Sequence, residues 1–137
     1  MNANLMSQLI FIGGVLHLGI TSAGFTSVFV LDWKRNLAGL HALTRHIIWT
    51  HGAFVLMTII GFGTISLACS HTLASGTPLA RAVCGFIAVF WASRLMVGAF
   101  VFDAKPHLAN ATLKVCYSAL NCVFVYFVIC YSAAALS

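Results

Sequence analysis

Long apolar segments separated by short polar breaks make up nearly the whole 137-residue chain. Apolar runs at about 5–31, 46–70, 79–102 and 110–136 are each long enough to cross a bilayer, which takes about 20 residues of α-helix. The breaks carry charged residues, Pro, Gly and Ser, which end or interrupt helices. The pattern predicts an all-α integral membrane protein, a single transmembrane domain built as a four-helix bundle with short loops.

Composition leads to the same interpretation. Hydrophobic residues make up 61% of the chain and charged residues 7%, whereas soluble domains carry about 25% charged residues. We therefore expect the lipid bilayer to surround most of the chain. Residues 2–8 contain no Lys or Arg, unlike the basic start of a secretory signal peptide, so the first apolar run is predicted to be a permanent span.

Basic residues in the breaks predict an orientation. Five of them lie in or beside the first and third breaks and one beside the second: Lys34, Arg35, Arg45, Lys105 and Lys114 against Arg81. The positive-inside rule then places the first and third loops in the cytoplasm and both termini on the non-cytoplasmic side. The expected location is the cell membrane, as a multi-pass protein. The basic residues form no single patch, so no nucleic-acid partner is expected.

Arg94 is the strongest polar signal within a span. It precedes Asp103 by nine residues, which places it roughly 13 Å inside the third span. A central Arg costs about 2.5–3.5 kcal/mol on insertion scales. Three interpretations stay open: the side chain extends to the cytoplasmic headgroups, it binds an anionic or polar group of a ligand, or it serves as a structural hydrogen-bonding hub.

Three further polar side chains are predicted at the depth of Arg94. His51, Tyr117 and Asn121 all fall roughly 9–16 Å from the cytoplasmic ends of their spans. Together the four residues bring a base, a cation, a phenol and an amide to one level. They form a candidate cofactor-binding site for a quinone, a lipid headgroup or a pigment carbonyl. The alternative is that they hold the helices together, since interhelical hydrogen bonds stabilise such bundles.

His17 lies near the middle of the first span, on the face that also carries Gly13, Thr21 and Gly24. Small residues at this spacing allow close helix approach, so His17 is interpreted either as a hydrogen-bonded residue of a packing face or as an axial ligand to haem or a pigment. His17 and His51 differ by roughly 12 Å in depth. The pair is therefore not expected to bind one haem between them, whereas ligation by one His, or haem shared with another subunit, stays open.

Neither a metal signature nor a catalytic motif is recognised in the sequence, although an enzyme acting on lipid stays open. Five cysteines occur without a Cys-x-x-Cys pair, which argues against a thiol oxidoreductase. They are interpreted as small buried hydrophobes. Cys69 and Cys84 flank the second loop and could form a disulfide in an oxidising compartment.

Short strings near the span ends combine aromatic and charged residues: Arg45-x-x-x-Trp49-x-His51-Gly52, Phe90-Trp91-x-x-Arg94-Leu95 and Phe102-Asp103-x-Lys105-Pro106. These strings resemble those of small uncharacterised four-span bacterial integral membrane proteins. The resemblance covers most of the chain. It implies the four-span fold and a location in the bacterial inner membrane, but no activity.

Three functions are compatible with these observations. The first is a non-catalytic subunit or scaffold that packs against itself, as a homo-oligomer, or against a larger membrane complex. The second is a redox-linked protein that holds haem, quinone or pigment. The third is a small transporter, ranked last because the only acidic residues, Asp32 and Asp103, lie at span ends and proton-coupled transport usually needs an acid within the membrane.

Overall fold

A computed structural model describes residues 2–100 and 111–137, and over these ranges the protein is helical. The elements in chain order are α1 (Ala3–Val30), α2 (Trp33–Asn36), α3 (Ala42–Ala68), α4 (Ser70–Leu73), α5 (Pro78–Phe100) and α6 (Ala111–Leu136). Four of these helices, α1, α3, α5 and α6, are long and apolar enough to span a membrane. The prediction of an all-α protein with four candidate spans is confirmed, whereas the side on which the termini lie stays a prediction.

The connection between α1 and α3 is held by local hydrogen bonds. Asp32 adopts a left-handed conformation (φ 46°) just after α1, and the Asn36 amide donates to the Leu31 carbonyl at 2.7 Å. His41 Nδ1 accepts a hydrogen bond from the Leu43 backbone N–H at 3.3 Å. Capping of this kind satisfies a backbone group at a helix start. As a result α3 begins at Ala42, four residues before the predicted span.

The predicted break at 103–107 lies outside the described residues, as do Asn110 and Lys105. The second break is described in full. Gly76 has a positive φ of 67°, and the Arg81 Nε–H donates to the Ala135 carbonyl at 2.8 Å. This bond joins the start of α5 to the end of α6. Since α4 also packs against α1, the start of α1, the α3–α5 connection and the end of α6 lie at one end of the bundle.

Helix packing is closest between α1 and α3 and between α5 and α6, and the two pairs meet through α1 and α6. Glycine residues permit the close approach of α1 and α3. A Cβ at Gly14 would lie 2.7 Å from Leu67 Cγ and 3.0 Å from the Leu67 backbone nitrogen, and one at Gly63 would lie 3.0 Å from His17 Cβ. Side chains larger than hydrogen would therefore force α1 and α3 apart.

Burial divides the bundle into two halves. Every described buried residue of the long helices lies within 6–17, 59–66, 80–91 or 127–134, which we call the closed half. The rest of the bundle, toward the α1–α3 connection, is the open half. Cys84 is buried in the closed half and Cys69 is exposed, and both are free thiols. The Cys84 thiol lies 4.0 Å from the Leu73 carbonyl oxygen, so the disulfide considered from the sequence is not formed here.

Candidate functional site

His17 occupies the centre of the closed half and is fully buried. Its Nδ1 lies 2.7 Å from the Gly13 carbonyl oxygen, and its Nε2 lies 3.0 Å from Trp91 Nε1. A carbonyl oxygen only accepts and an indole N–H only donates. The imidazole is therefore the neutral tautomer that carries its proton on Nδ1, and both ring nitrogens are hydrogen-bonded within the chain.

Aromatic side chains enclose the His17 ring. Phe127 stacks on it with ring centroids 4.0 Å apart, and Phe62 and Tyr131 meet it edge-on at 6.1 and 5.9 Å. The Tyr131 hydroxyl forms a 2.6 Å hydrogen bond with Ser66 Oγ. This geometry is that of a hydrogen-bonded packing residue. Haem ligation by His17 stays a prediction, and it would require the bond to Trp91 to break and Phe127 to move.

The open half contains a cavity of about 850 Å³, within the usual size range of small-molecule sites. All four long helices contribute to its walls, which are mainly apolar. The lining residues are Ile20, Ala23, Gly24, Phe25, Ser27, Val28, Phe29, Asp32, Trp33, Lys34, Trp49, Gly52, Ala53, Val55, Leu56, Ile59, Phe90, Trp91, Arg94, Leu120 and Phe124. We call this space the intrabundle cavity.

Charged and aromatic groups lie toward one end of the intrabundle cavity. Asp32 and Lys34 come from the α1–α3 connection and Arg94 from α5. The rings of Trp33 and Trp49 meet edge-on beside them, with centroids 6.0 Å apart. Amphipathic indoles and basic side chains are typical of the headgroup level of a membrane. The cavity thus has one polar end and an apolar body.

Trp91 lies about one helical turn before Arg94 on α5 and links the cavity to the closed half. Its ring stacks on Phe124 with centroids 4.8 Å apart, while its N–H is bound to His17. Both Trp91 and Phe124 line the cavity. The same indole therefore contacts the buried core on one side and the cavity on the other. All three tryptophans of the chain line the cavity, so intrinsic fluorescence is a direct reporter of what occupies it.

The structure brings only one member of the predicted polar level to the intrabundle cavity. Arg94 lines it, but His51, Tyr117 and Asn121 are not among the lining residues. His51 is exposed on α3, about 200° around the helix from the cavity-lining Trp49. The Asn121 amide donates to the Tyr117 carbonyl within α6 at 3.1 Å. A cofactor role for these three residues stays a prediction.

Sequence reasoning missed the aromatic part of the site. From the sequence alone, no binding role is predicted for Trp33, Trp49 or Phe124. A signal was present on α3, because Trp49, Gly52, Ala53, Leu56 and Ile59 follow the three-to-four-residue repeat of one helix face. That repeat predicts an inward face, but it does not tell whether the face meets another helix or a cavity.

Metal binding finds no support among the residues that the structure describes, where no group of three or more His, Cys, Asp or Glu side chains lies close enough to hold an ion. No protein family, curated protein or solved structure matches this chain. The intrabundle cavity is therefore the feature from which a function can be argued.

Proposed function

We propose that this is a non-catalytic membrane protein that holds an amphiphilic small molecule, a lipid or a quinone, in its intrabundle cavity. The observation that carries the proposal is the cavity of about 850 Å³, with apolar walls and charged residues toward one end. Ligand sites have this character in general: a predominantly apolar cleft with a few polar groups that fix orientation. An amphiphile matches both parts of the cavity.

The walls favour an apolar occupant over water. A cavity holds ordered water only where each molecule finds about two to four polar partners. Most of the wall is formed by side chains such as Phe25, Leu56 and Phe124, which offer none. An empty cavity would in turn leave those side chains without dispersion contacts on one side. A hydrocarbon chain or isoprenoid tail supplies them.

The chemistry of the lining supports binding rather than catalysis. Its charged groups are Asp32, Lys34 and Arg94, and the described lining residues include neither His nor Cys. A Ser–His–acid arrangement is therefore not formed there. The packed core around His17 interrupts the bundle beyond Trp91. A continuous path along the bundle axis is blocked, which favours holding a molecule over transporting one.

A role as a subunit or scaffold is compatible with this proposal and has its own support. A Cβ at Gly19, Gly61 or Gly98 would meet no other atom within 4 Å. Small residues with open space above them allow a further helix to approach closely. Copurification of a stoichiometric partner, or of a defined homo-oligomer, tests this second role.

The test of ligand binding uses the fluorescence of Trp33, Trp49 and Trp91, which all line the cavity, in the unmodified protein. We expect amphiphiles with brominated chains to quench this fluorescence saturably. Mass spectrometry and an absorption spectrum of protein extracted in polymer-bounded native membrane discs identify the natural occupant.

A matched pair of variants on α3 provides the control. A Cβ at Gly52 would lie 3.9 Å from the Trp33 ring, at the cavity wall, whereas one at Gly61 would meet nothing within 4 Å. Gly52→Leu should reduce quenching and expel the occupant, and Gly61→Leu should do neither. Equal quenching in both variants, or wild-type protein that carries no amphiphile beyond the bulk lipid composition, would overturn the proposal.

A further inference from the structure

We infer that the head of the bound amphiphile is a phosphate-type anion bound by Arg94, with Lys34 as a second cation. This inference rests on the proposed function. The inference specifies which amphiphiles the intrabundle cavity selects: anionic phospholipids rather than neutral lipids or quinones. Three observations carry it: the charge balance of the lining, the donor geometry of arginine at this depth, and the position of the indoles.

The lining carries an excess of positive charge. Arg94 and Lys34 contribute two cations and Asp32 one carboxylate, so the balance is one positive charge. Asp32 is the one acidic residue within the described ranges. Arg94 and Lys34 are both exposed on the molecule, so their charges are accessible to the head of a ligand at the polar end of the cavity. One anionic head restores neutrality at the polar end of the cavity.

Arginine suits a phosphate better than it suits a carbonyl. Arg94 lies six residues before the end of α5 at Phe100, roughly 9 Å inside the helix end, where a cation benefits most from a charged partner. Its planar guanidinium donates two parallel N–H bonds to two oxygens of one phosphate. A quinone presents single neutral carbonyl oxygens. It therefore neither balances the charge of the guanidinium nor accepts both of its parallel N–H bonds.

The indoles fix where the head lies. Trp33 and Trp49 form an edge-on pair at the same end as Lys34, while Trp91 and Phe124 contribute rings to the apolar part. Indole rings in membrane proteins favour the headgroup level, with the N–H toward polar groups. The head is therefore placed among Lys34, Arg94 and the indole pair, and the chains lie along the apolar part of the lining, which includes Phe25 and Phe124.

The experiment compares two ligands that differ only in the head. Purified protein in a neutral detergent is titrated with phosphatidylglycerol and with diacylglycerol of identical chains, and tryptophan fluorescence is followed. We expect diacylglycerol to bind about tenfold more weakly or worse, since charged hydrogen bonds contribute at this level. Arg94→Gln should remove that difference. Arg94→Lys keeps the positive charge but loses the paired N–H donors of the guanidinium, so it should retain only part of the difference in affinity.

Controls separate this inference from the proposed function. Arg35 is an exposed cation next to Lys34, but it does not line the cavity. Arg35→Gln should therefore change neither the affinity for phosphatidylglycerol nor that for diacylglycerol. One outcome is that both ligands bind equally and Gly52→Leu abolishes the binding of both. That result would overturn the inference of an anionic head and leave the cavity as a site for amphiphiles. Binding of neither ligand would remove the proposed function as well. Saturable binding of inorganic phosphate without phosphatidylglycerol binding would overturn the assignment of a lipid.

Discussion

The closed and open halves of the bundle are built from similar apolar residues and yet pack differently. In the closed half, Phe127 is fully buried against His17. In the open half, Phe25 and Phe29 remain 61% and 69% exposed. Lipid tails are as apolar as these side chains, so hydrophobicity does not draw the helices together in a membrane. The difference must come from close packing and hydrogen bonds.

In the closed half, glycines allow close packing and paired polar groups form hydrogen bonds between helices. Gly14 and Gly63 let α1 approach α3, His17 joins α1 to α5 through Trp91, and Ser66 joins α3 to Tyr131 of α6. Toward the α1–α3 connection, charged and aromatic side chains line a cavity instead. One helical bundle can thus be closely packed at one end and leave a cavity at the other.

The largest expected difference between the halves comes from removing one phenyl ring from each. Phe127→Ala leaves a void in the packed core and should lower the free energy of unfolding by about 3–5 kcal/mol. Phe29→Ala removes a side chain that is 69% exposed, and it should lower the free energy of unfolding by much less than Phe127→Ala does. Unfolding in mixed micelles, followed by circular dichroism, measures both. Similar losses for the two variants would abolish the distinction between the halves.

A methyl group added to each of two glycines on α1 tests the helix spacing. Gly14→Ala places a Cβ 3.0 Å from the Leu67 backbone nitrogen, which cannot move without moving α3, whereas Gly24→Ala meets the Leu56 side-chain end at 3.3 Å. We expect the first to destabilise by about 1–3 kcal/mol through overpacking. The second should be close to neutral. The same unfolding measurement applies, and a more damaging Gly24→Ala would show that α1 and α3 are equally constrained in both halves.

A smaller effect is expected from the bond between Ser66 and Tyr131. Tyr131→Phe and Ser66→Ala each remove one partner of a buried 2.6 Å bond. Interhelical bonds of this kind average about 0.6 and reach about 1.7 kcal/mol in membranes. A double-mutant cycle should show that the two changes are not additive. Ser22→Ala, which removes only a bond within α1, is the control, and additive effects in the cycle would mean that the pair does not couple α3 to α6.

The sequence predicted four long apolar helices, and the structure confirms them. The bounds of the spans stay a prediction; helix α3 begins four residues before the second predicted span, at a side-chain cap on His41 that hydropathy does not report. For His17 the sequence left two interpretations open; the structure gives the side chain two hydrogen bonds within the chain, and haem ligation stays a prediction. The partner could not be foreseen, because Trp91 is 74 residues away in the chain and nothing in a single sequence links the two positions.

The proposed polar level shows where depth alone is insufficient. Helical rise predicts heights for Arg94 and His51 along their helices but says nothing of how α3 and α5 are rotated. In the structure that rotation turns Trp49 and Arg94 to the intrabundle cavity. His51 lies about 200° around α3 from Trp49 and is not among the lining residues.

The amino-acid sequence by itself determined that this protein forms four long apolar helices, because in lipid each backbone N–H and C=O must be satisfied within its own segment and that requirement is local. Only the tertiary structure decided which polar groups meet and where a cavity remains. Those outcomes depend on how helices distant in the chain are rotated and spaced against one another, and the spacing is fixed by side-chain contacts such as those of Gly14 and His17.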